Sequence, residues 1–189
     1  MSGKFLIVGL GNFGPEYEHT RHNIGFDIAN ELANKYHAAF TDGRYANIAE
    51  FNIKGKPLVV IKPTTYMNLS GKSVRYWMQQ HNIKTQQIFV LVDDIAIDFG
   101  KIRIKAGGSD AGHNGLKNIN ECLETQQYPR LRFGIGSNFA KGRQVEYVLG
   151  KFTPNEQKEL PLLIEKSVQA IESFVLRGLE PTMNDFNRK

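Results

Sequence analysis

The sequence predicts an α/β fold, a single globular domain with a mixed, mainly parallel β-sheet flanked by helices. Three observations carry this. Phe5–Leu10 and Ile88–Val92 are short apolar runs, the pattern of strands buried on both faces. Other stretches place apolar residues at helical spacing. Strands and helices alternate along the chain, the order expected when helices cover a largely parallel sheet.

Residues 4–10 read as the first buried strand, all apolar after Lys4. Residues 23–36 carry Ile24, Phe26, Ile28, Ala29, Leu32, Ala33 and Tyr36 on a helical repeat. Residues 45–53 and 57–62 read as a strand pair turning at Lys54-Gly55-Lys56. Val74, Trp77 and Met78 share one face of a helix over 70–81. The strand beginning at Ile88 ends in Asp93-Asp94. Lys101–Lys105 alternates strictly between cation and isoleucine, which is strand periodicity. A helix over 114–124 and a strand over 130–136 follow. Thr153-Pro154-Asn155-Glu156 is a capping box with proline at the first helical position. It opens a long amphipathic helix that stops near Gly178.

The chain has 189 residues, which fits one domain over 1–189 with a sizeable core. No stretch approaches the ~20 apolar residues of a membrane span. Residues 5–10 are too short for a signal-peptide core, so a cytoplasmic protein without a membrane partner is expected. Cys122 is the single cysteine, which excludes an internal disulfide and fits a reducing compartment. The net charge of +5 points modestly to a polyanionic partner.

Polar residues gather in three segments: Thr20–Asn23, Pro63–Gly71 and Gly107–Gly115. Each carries His or Asn among small residues at the end of an apolar run. Such side chains fill cores poorly and hydrogen-bond well, so three sets suggest one site assembled from distant parts of the chain.

Gly9-Leu10-Gly11-Asn12-Phe13-Gly14 matches the glycine pattern of dinucleotide folds. That reading also needs a helix opening at the third glycine and an acidic residue closing a second strand. Here Pro15 follows Gly14, and Glu31 falls inside a helix. Gly71-Lys72-Ser73 lacks the upstream glycine of a phosphate-binding loop, because position 66 is Tyr66. Ser70 lacks a nucleophile elbow. Cys122 reads as a small core residue. Glu18, His19, His22 and His113 form a weak metal set, since Pro15 argues against a regular helix beneath them and no zinc motif is present.

What remains is a histidine general base acting on water. His22, with an ordinary pKa near 6.5, stands at a helix start. Asp93 or Asp94 ends a strand on the carboxyl edge where α/β sites form, placed to fix the imidazole tautomer. Asn12, Asn68 and Asn114 offer amide donors for water or an oxyanion. Separately, Lys101, Arg103 and Lys105 share one strand face, and Arg130 and Arg132 repeat the pattern. Two such rows side by side would make a phosphate-binding surface.

Together these residues resemble bacterial peptidyl-tRNA hydrolase over essentially the whole chain. The resemblance rests on Gly9-Leu-Gly-Asn12 with Tyr17, Thr20-Arg-His22-Asn23 and Lys62-Pro-Thr-Thr-Tyr-Met-Asn68-Leu-Ser-Gly. It continues through Asp93-Asp94, Gly107-Gly-Ser-Asp-Ala-Gly-His-Asn114-Gly-Leu-Lys and Arg130-Leu-Arg132-Phe-Gly-Ile-Gly. It implies hydrolysis of the ester joining a peptide to tRNA, by a monomer without metal or cofactor. His22 matches the catalytic base and Asp93 its carboxylate partner. Asn12 matches the residue that separates N-blocked from free aminoacyl-tRNA. Asn68 and Asn114 match substrate-positioning residues, with Tyr17, Tyr66 and Met67 lining the same crevice and His113 in support. Lys105 and Arg132 match a clamp on the tRNA 5′-phosphate. Two departures stand out: Phe13 where the family often has proline, and Ile95-Ala96-Ile97-Asp98 where it usually reads Leu-Asp-Leu-Pro.

Overall fold

Residues of β1 (Phe5–Gly9) alternate between two hydrophobic layers. Phe5 and Ile7 enter one, Leu6 and Val8 the other, and none of the five residues is exposed. The computed structural model describes residues 3–188, so residues 1, 2 and 189 of the domain predicted over 1–189 lie outside the described residues. β1 is central in a seven-stranded sheet that also contains β2 (Thr41–Gly43), β3 (Ala46–Ile53), β4 (Lys56–Pro63), β5 (Ile88–Asp94), β6 (Ile102–Lys105) and β7 (Arg130–Gly134), in the order β2-β3-β4-β1-β5-β7-β6. The four inner strands β4, β1, β5 and β7 are mutually parallel. The edges are antiparallel: β2 and β3 on one side, β6 on the other. The mixed, mainly parallel sheet expected from the sequence is present.

Helices cover both faces. α1 (Ile24–Lys35), α5 (Pro154–Arg177) and α6 (Leu179–Phe186) pack on one layer through residues such as Ile28, Leu32, Ile171 and Phe174. α2 (Ser70–Gln80) and α3 (Asn114–Leu123) pack on the other through Val74, Trp77, Leu116 and Ile119. A short α4 (Gln144–Val148) lies between β7 and α5. The predicted capping box is made: Thr153 Oγ1 accepts from Glu156 N, and Glu156 Oε1 accepts from Thr153 N. Gly178 ends α5 at φ 91°, the left-handed conformation that favours glycine.

The elements bounded by strong periodicity lie within a residue or two of their expected limits. β2, α4 and α6 were not expected. β2 has no apolar residue and exists through its pairing with β3. α6 begins immediately after the glycine that reads as a stop.

Candidate active site

The parallel strands deliver their carboxyl ends to one edge, and α1 must start close to that edge for His22 to reach it. Two glycines permit the approach. A Cβ on Gly9 would stand 2.4 Å from the Gly25 carbonyl oxygen, and one on Gly25 would stand 2.5 Å from the Leu10 nitrogen and 2.6 Å from the Leu91 oxygen. Backbone therefore lies directly on backbone where β1, β5 and α1 meet. The single 3₁₀ turn Arg21–Asn23 precedes α1 and places His22 over the end of β5.

There, Asp93 is buried between two histidines. His22 Nδ1 lies 2.8 Å from one carboxylate oxygen, and His113 Nε2 lies 2.8 Å from the other. The rings are 4.9 Å apart. His113 also caps α3, its Nδ1 accepting from Gly115 N at 3.1 Å and Leu116 N at 3.4 Å. An acceptor at Nδ1 requires the hydrogen on Nε2, where it donates to Asp93. Both ring nitrogens of His113 are thereby committed. His22 differs. Its Nδ1–H donates to Asp93, and its Nε2 has no hydrogen-bond partner among the described residues.

Burial alone would raise the pKa of Asp93, but His113 and His22 more than offset it and hold the carboxyl well below its ordinary value. Burial works the other way on His22, disfavouring imidazolium, yet the Asp93 charge and hydrogen bond leave its pKa above 6.5. Asp93 therefore stays ionised, and His22 becomes a somewhat stronger base.

His22, Asp93, His113, Asn114 and Arg132 line one hollow of about 110 Å³, together with Gln144, Val145 and Val148 of α4. Asn114 is exposed at the first position of α3, so its amide stands beside a helix N-terminus. Asn12 is buried and cross-linked: its N–H donates to Asn23 Oδ1 at 2.8 Å, and its Oδ1 accepts from Met67 N at 2.8 Å. That leaves the Asn12 Nδ2 donor without a partner among the described residues. Met67 is buried, whereas Asn68 and Tyr66 are exposed on the adjoining turn. Tyr17 lies in the 3₁₀ turn Pro15–Tyr17, where its carbonyl accepts from Thr20 Oγ1 at 2.9 Å. None of these four residues lines the hollow, and Asn12 instead lines a separate cavity with Asn23, Asp27 and Lys62.

The basic rows do lie side by side, with Arg103 opposite Arg132 and Lys105 opposite Arg130. They are not equally free. Arg130 is 1% exposed, donates to the Ser109 and Gln126 carbonyls and stacks on Tyr128 at 4.2 Å, so it is no part of an open phosphate row. Burial lowers its pKa. Arg132 Nε is held by Asp94. Lys105 is exposed but level with Val90, three positions and roughly 10 Å below Asp93. It does not line the hollow.

His19, part of the weak metal set, turns away to Asp27 at 3.0 Å. His22, Asp93 and His113 have donor atoms within 4.8 Å of one another, and their hydrogen bonds account for that spacing. The departing loop touches the centre at its start, where Ile95 lines the hollow and Ala96 N donates to Asp94 at 2.8 Å, whereas the Asp98 carboxylate is 85% exposed beside Lys101; Phe13 is exposed.

Arg21 was missed. It is buried, pairs with Glu156 at 3.2 Å, donates to the Tyr147 carbonyl and lies 4.0 Å over the Tyr147 ring. Glu156 is the capping-box residue of α5, so the helix start and the His22 turn share one ion pair. The only sequence signal was an arginine between two polar site residues.

A family model described as peptidyl-tRNA hydrolase matches residues 6–189. The peptidyl-tRNA hydrolase of Porphyromonas gingivalis is 55% identical over 97% of this chain and 100% of its own length. That of Parabacteroides distasonis is 53% identical over 98% and 100%. The crystal structure of peptidyl-tRNA hydrolase from Acinetobacter baumannii superposes with a TM-score of 0.91 at 37% identity, covering 99% of this chain and 96% of that one. Matches this extensive in sequence and in fold admit one conclusion: the chain belongs to the peptidyl-tRNA hydrolase family.

Proposed function

We propose that the chain hydrolyses the ester linking the peptide to tRNA in peptidyl-tRNA, with water activated by His22 as nucleophile. One observation carries the reading: among the described residues His22 Nε2 has no partner at the carboxyl-edge hollow, while Nδ1 is fixed by a buried carboxylate. His22 Nε2 takes a proton from water as the water oxygen bonds to the ester carbonyl carbon. Asp93 stabilises the imidazolium that forms. The oxyanion meets the Asn114 and Asn68 amides and the N-terminus of α3. As the tetrahedral intermediate collapses, the bond to the ribose oxygen breaks and that oxygen takes the proton from His22. His113, with both nitrogens committed, positions Asp93 and exchanges no proton.

Asn12 supplies selectivity. Its oxygen is occupied by Met67 N–H, so it presents only a donor. A blocked substrate offers an amide carbonyl there, whereas a free aminoacyl ester offers an ammonium, which has no acceptor. Tyr17, Tyr66 and Met67 flank the peptide, and Lys105 with Arg132 hold the tRNA 5′-phosphate. The reading carries a monomer working as one domain in the cytoplasm, without cofactor or metal. Among the described residues no helix is long and apolar enough to cross a membrane.

The test is hydrolysis of matched N-acetylated and free aminoacyl-tRNA by the native protein. The blocked ester should turn over about tenfold faster or more. Equal rates would remove the role given to Asn12, and no hydrolysis of either would overturn the esterase reading.

A further inference from the structure

A second cationic surface lies on the same sheet edge, outside the residues the reaction uses. Arg44 and Tyr45 form the turn between β2 and β3, and Ala46 beside them pairs with Pro63 at the end of β4. Because β4 runs parallel to β1, this turn stands on the carboxyl edge that carries Asp93. α2 brings Lys72 and Tyr76 against it. The Lys72 ammonium is 4.7 Å from the Tyr45 ring, and the Arg44 guanidinium is 5.0 Å from Tyr45 and 5.3 Å from Tyr76. The two tyrosine rings meet edge to face at 5.6 Å.

The turn is fixed in place. Trp77 Nε1 donates to the Arg44 carbonyl at 2.9 Å, and Thr64 N donates to the Tyr45 carbonyl at 2.9 Å. Tyr45 itself has φ 63°, a left-handed conformation that bulky side chains rarely adopt. Such local strain tends to collect at functional surfaces. Thr64 opens the segment that holds Met67 and Asn68, so the surface adjoins the substrate crevice.

The charges are unneutralised. Among the described residues, neither Arg44 nor Lys72 pairs with a carboxylate, and the groups acting on Arg44 are Tyr45 and Tyr76. The Arg44 hydrogen bond, with the Arg44 and Lys72 charges, lowers the pKa of the Tyr45 phenol. A ring face attracts a cation without cancelling it. Two cations interleaved with two half-exposed rings suit a strand that carries both phosphates and flat bases. An acidic peptide would satisfy the charges and leave the rings unused.

We infer that Arg44, Tyr45, Lys72 and Tyr76 form a second RNA-contact surface, which takes backbone phosphates and stacks an unpaired base of the tRNA substrate. The proposal rests on the esterase reading for its substrate, but its test does not need hydrolysis. Binding of fluorescent uncharged tRNA and of a short single-stranded RNA is measured against salt. Arg44→Ala with Lys72→Ala should weaken binding about fivefold or more and flatten the log Kd–log salt slope by about 1 to 2. Tyr76→Leu should weaken binding at unchanged slope. Arg44→Lys with Lys72→Arg keeps both charges and should bind nearly as the native chain, which separates charge from folding. The double alanine variant should turn over an N-blocked aminoacyl-adenosine at the native rate. Unchanged binding and slope would overturn the surface. So would a poly-glutamate peptide that binds as tightly as the RNA and loses that binding in the double alanine variant. Should the native chain bind RNA but hydrolyse no ester, the esterase reading falls and this surface stands.

Discussion

Replacing Asp93 by Asn keeps the shape of the buried side chain and removes one acceptor oxygen. In the native site two N–H groups, His22 Nδ1–H and His113 Nε2–H, point at two carboxylate oxygens. An amide has one oxygen and one NH₂, so one imidazole must move its proton. If His113 moves it, Nδ1 acquires a hydrogen aimed at the Gly115 and Leu116 N–H groups and the α3 cap is lost. Losing a cap costs about 0.5–2 kcal/mol. His22 pays no such penalty, so it takes the change and its proton moves to Nε2, the nitrogen that must receive one from water. The cap energy corresponds to roughly a 2- to 30-fold preference for the inactive arrangement. Loss of the charge facing imidazolium adds to this, and general-base catalysis is worth about 10²- to 10⁴-fold. Asp93→Asn should therefore lower kcat by about 10²-fold or more with little change in KM. Residual activity should need a lower pH to be lost, because the partner that raises the His22 pKa is gone. In the native chain, activity should fall as pH drops through the His22 pKa, which Asp93 holds above 6.5. The assay is single-turnover hydrolysis of N-acetyl-aminoacyl-tRNA between pH 5 and 9, buffers chosen at roughly constant ionic strength. A variant within about threefold of native with an unmoved pH profile would refute the tautomer argument.

Four further substitutions probe the surroundings of His22 and the basic residues. Gly25→Ala drives a Cβ into the Leu10 and Leu91 backbone, and should cost about 1–3 kcal/mol in denaturant unfolding and lower kcat by displacing His22; native values for both would mean that the contact is slack. Arg21→Met strands Glu156 and should destabilise by about 3–5 kcal/mol at most, read as a lower melting temperature. Lys105→Ala should raise KM for tRNA esters and leave the melting temperature unchanged, whereas Arg132→Ala should change both, because Asp94 at 9% side-chain exposure loses its partner. Equal KM effects on a short ester would count against the phosphate clamp.

The fold was legible where composition leaves one option. β1 and β5 are apolar at successive positions because both faces are covered, and the Thr153-Pro154-Asn155-Glu156 cap is satisfied locally. β2 was not legible, since Thr41-Asp42-Gly43 has no pattern and pairs only because β3 lies beside it. His22 and Asp93 stood out by joint occurrence with the asparagines. The geometry that ranks His22 above His113 did not, because it depends on which His113 nitrogen α3 uses as its cap. Arg130 misled for a related reason. Strand alternation sets the side of the sheet, but the Ser109 and Gln126 carbonyls close over that side, which no local periodicity reveals. The Arg44–Tyr76 surface was equally hidden, its residues being brought together by the β2–β3 turn and α2 from separate parts of the chain.

The central claim is that His22 Nε2 activates the attacking water. It is tested most directly by the single-turnover rate of His22→Ala on N-acetyl-aminoacyl-tRNA, with circular dichroism confirming the fold. The expected result is a loss of about 10²- to 10⁴-fold or more with tRNA binding retained. Near-native turnover by a folded His22→Ala protein would contradict the account.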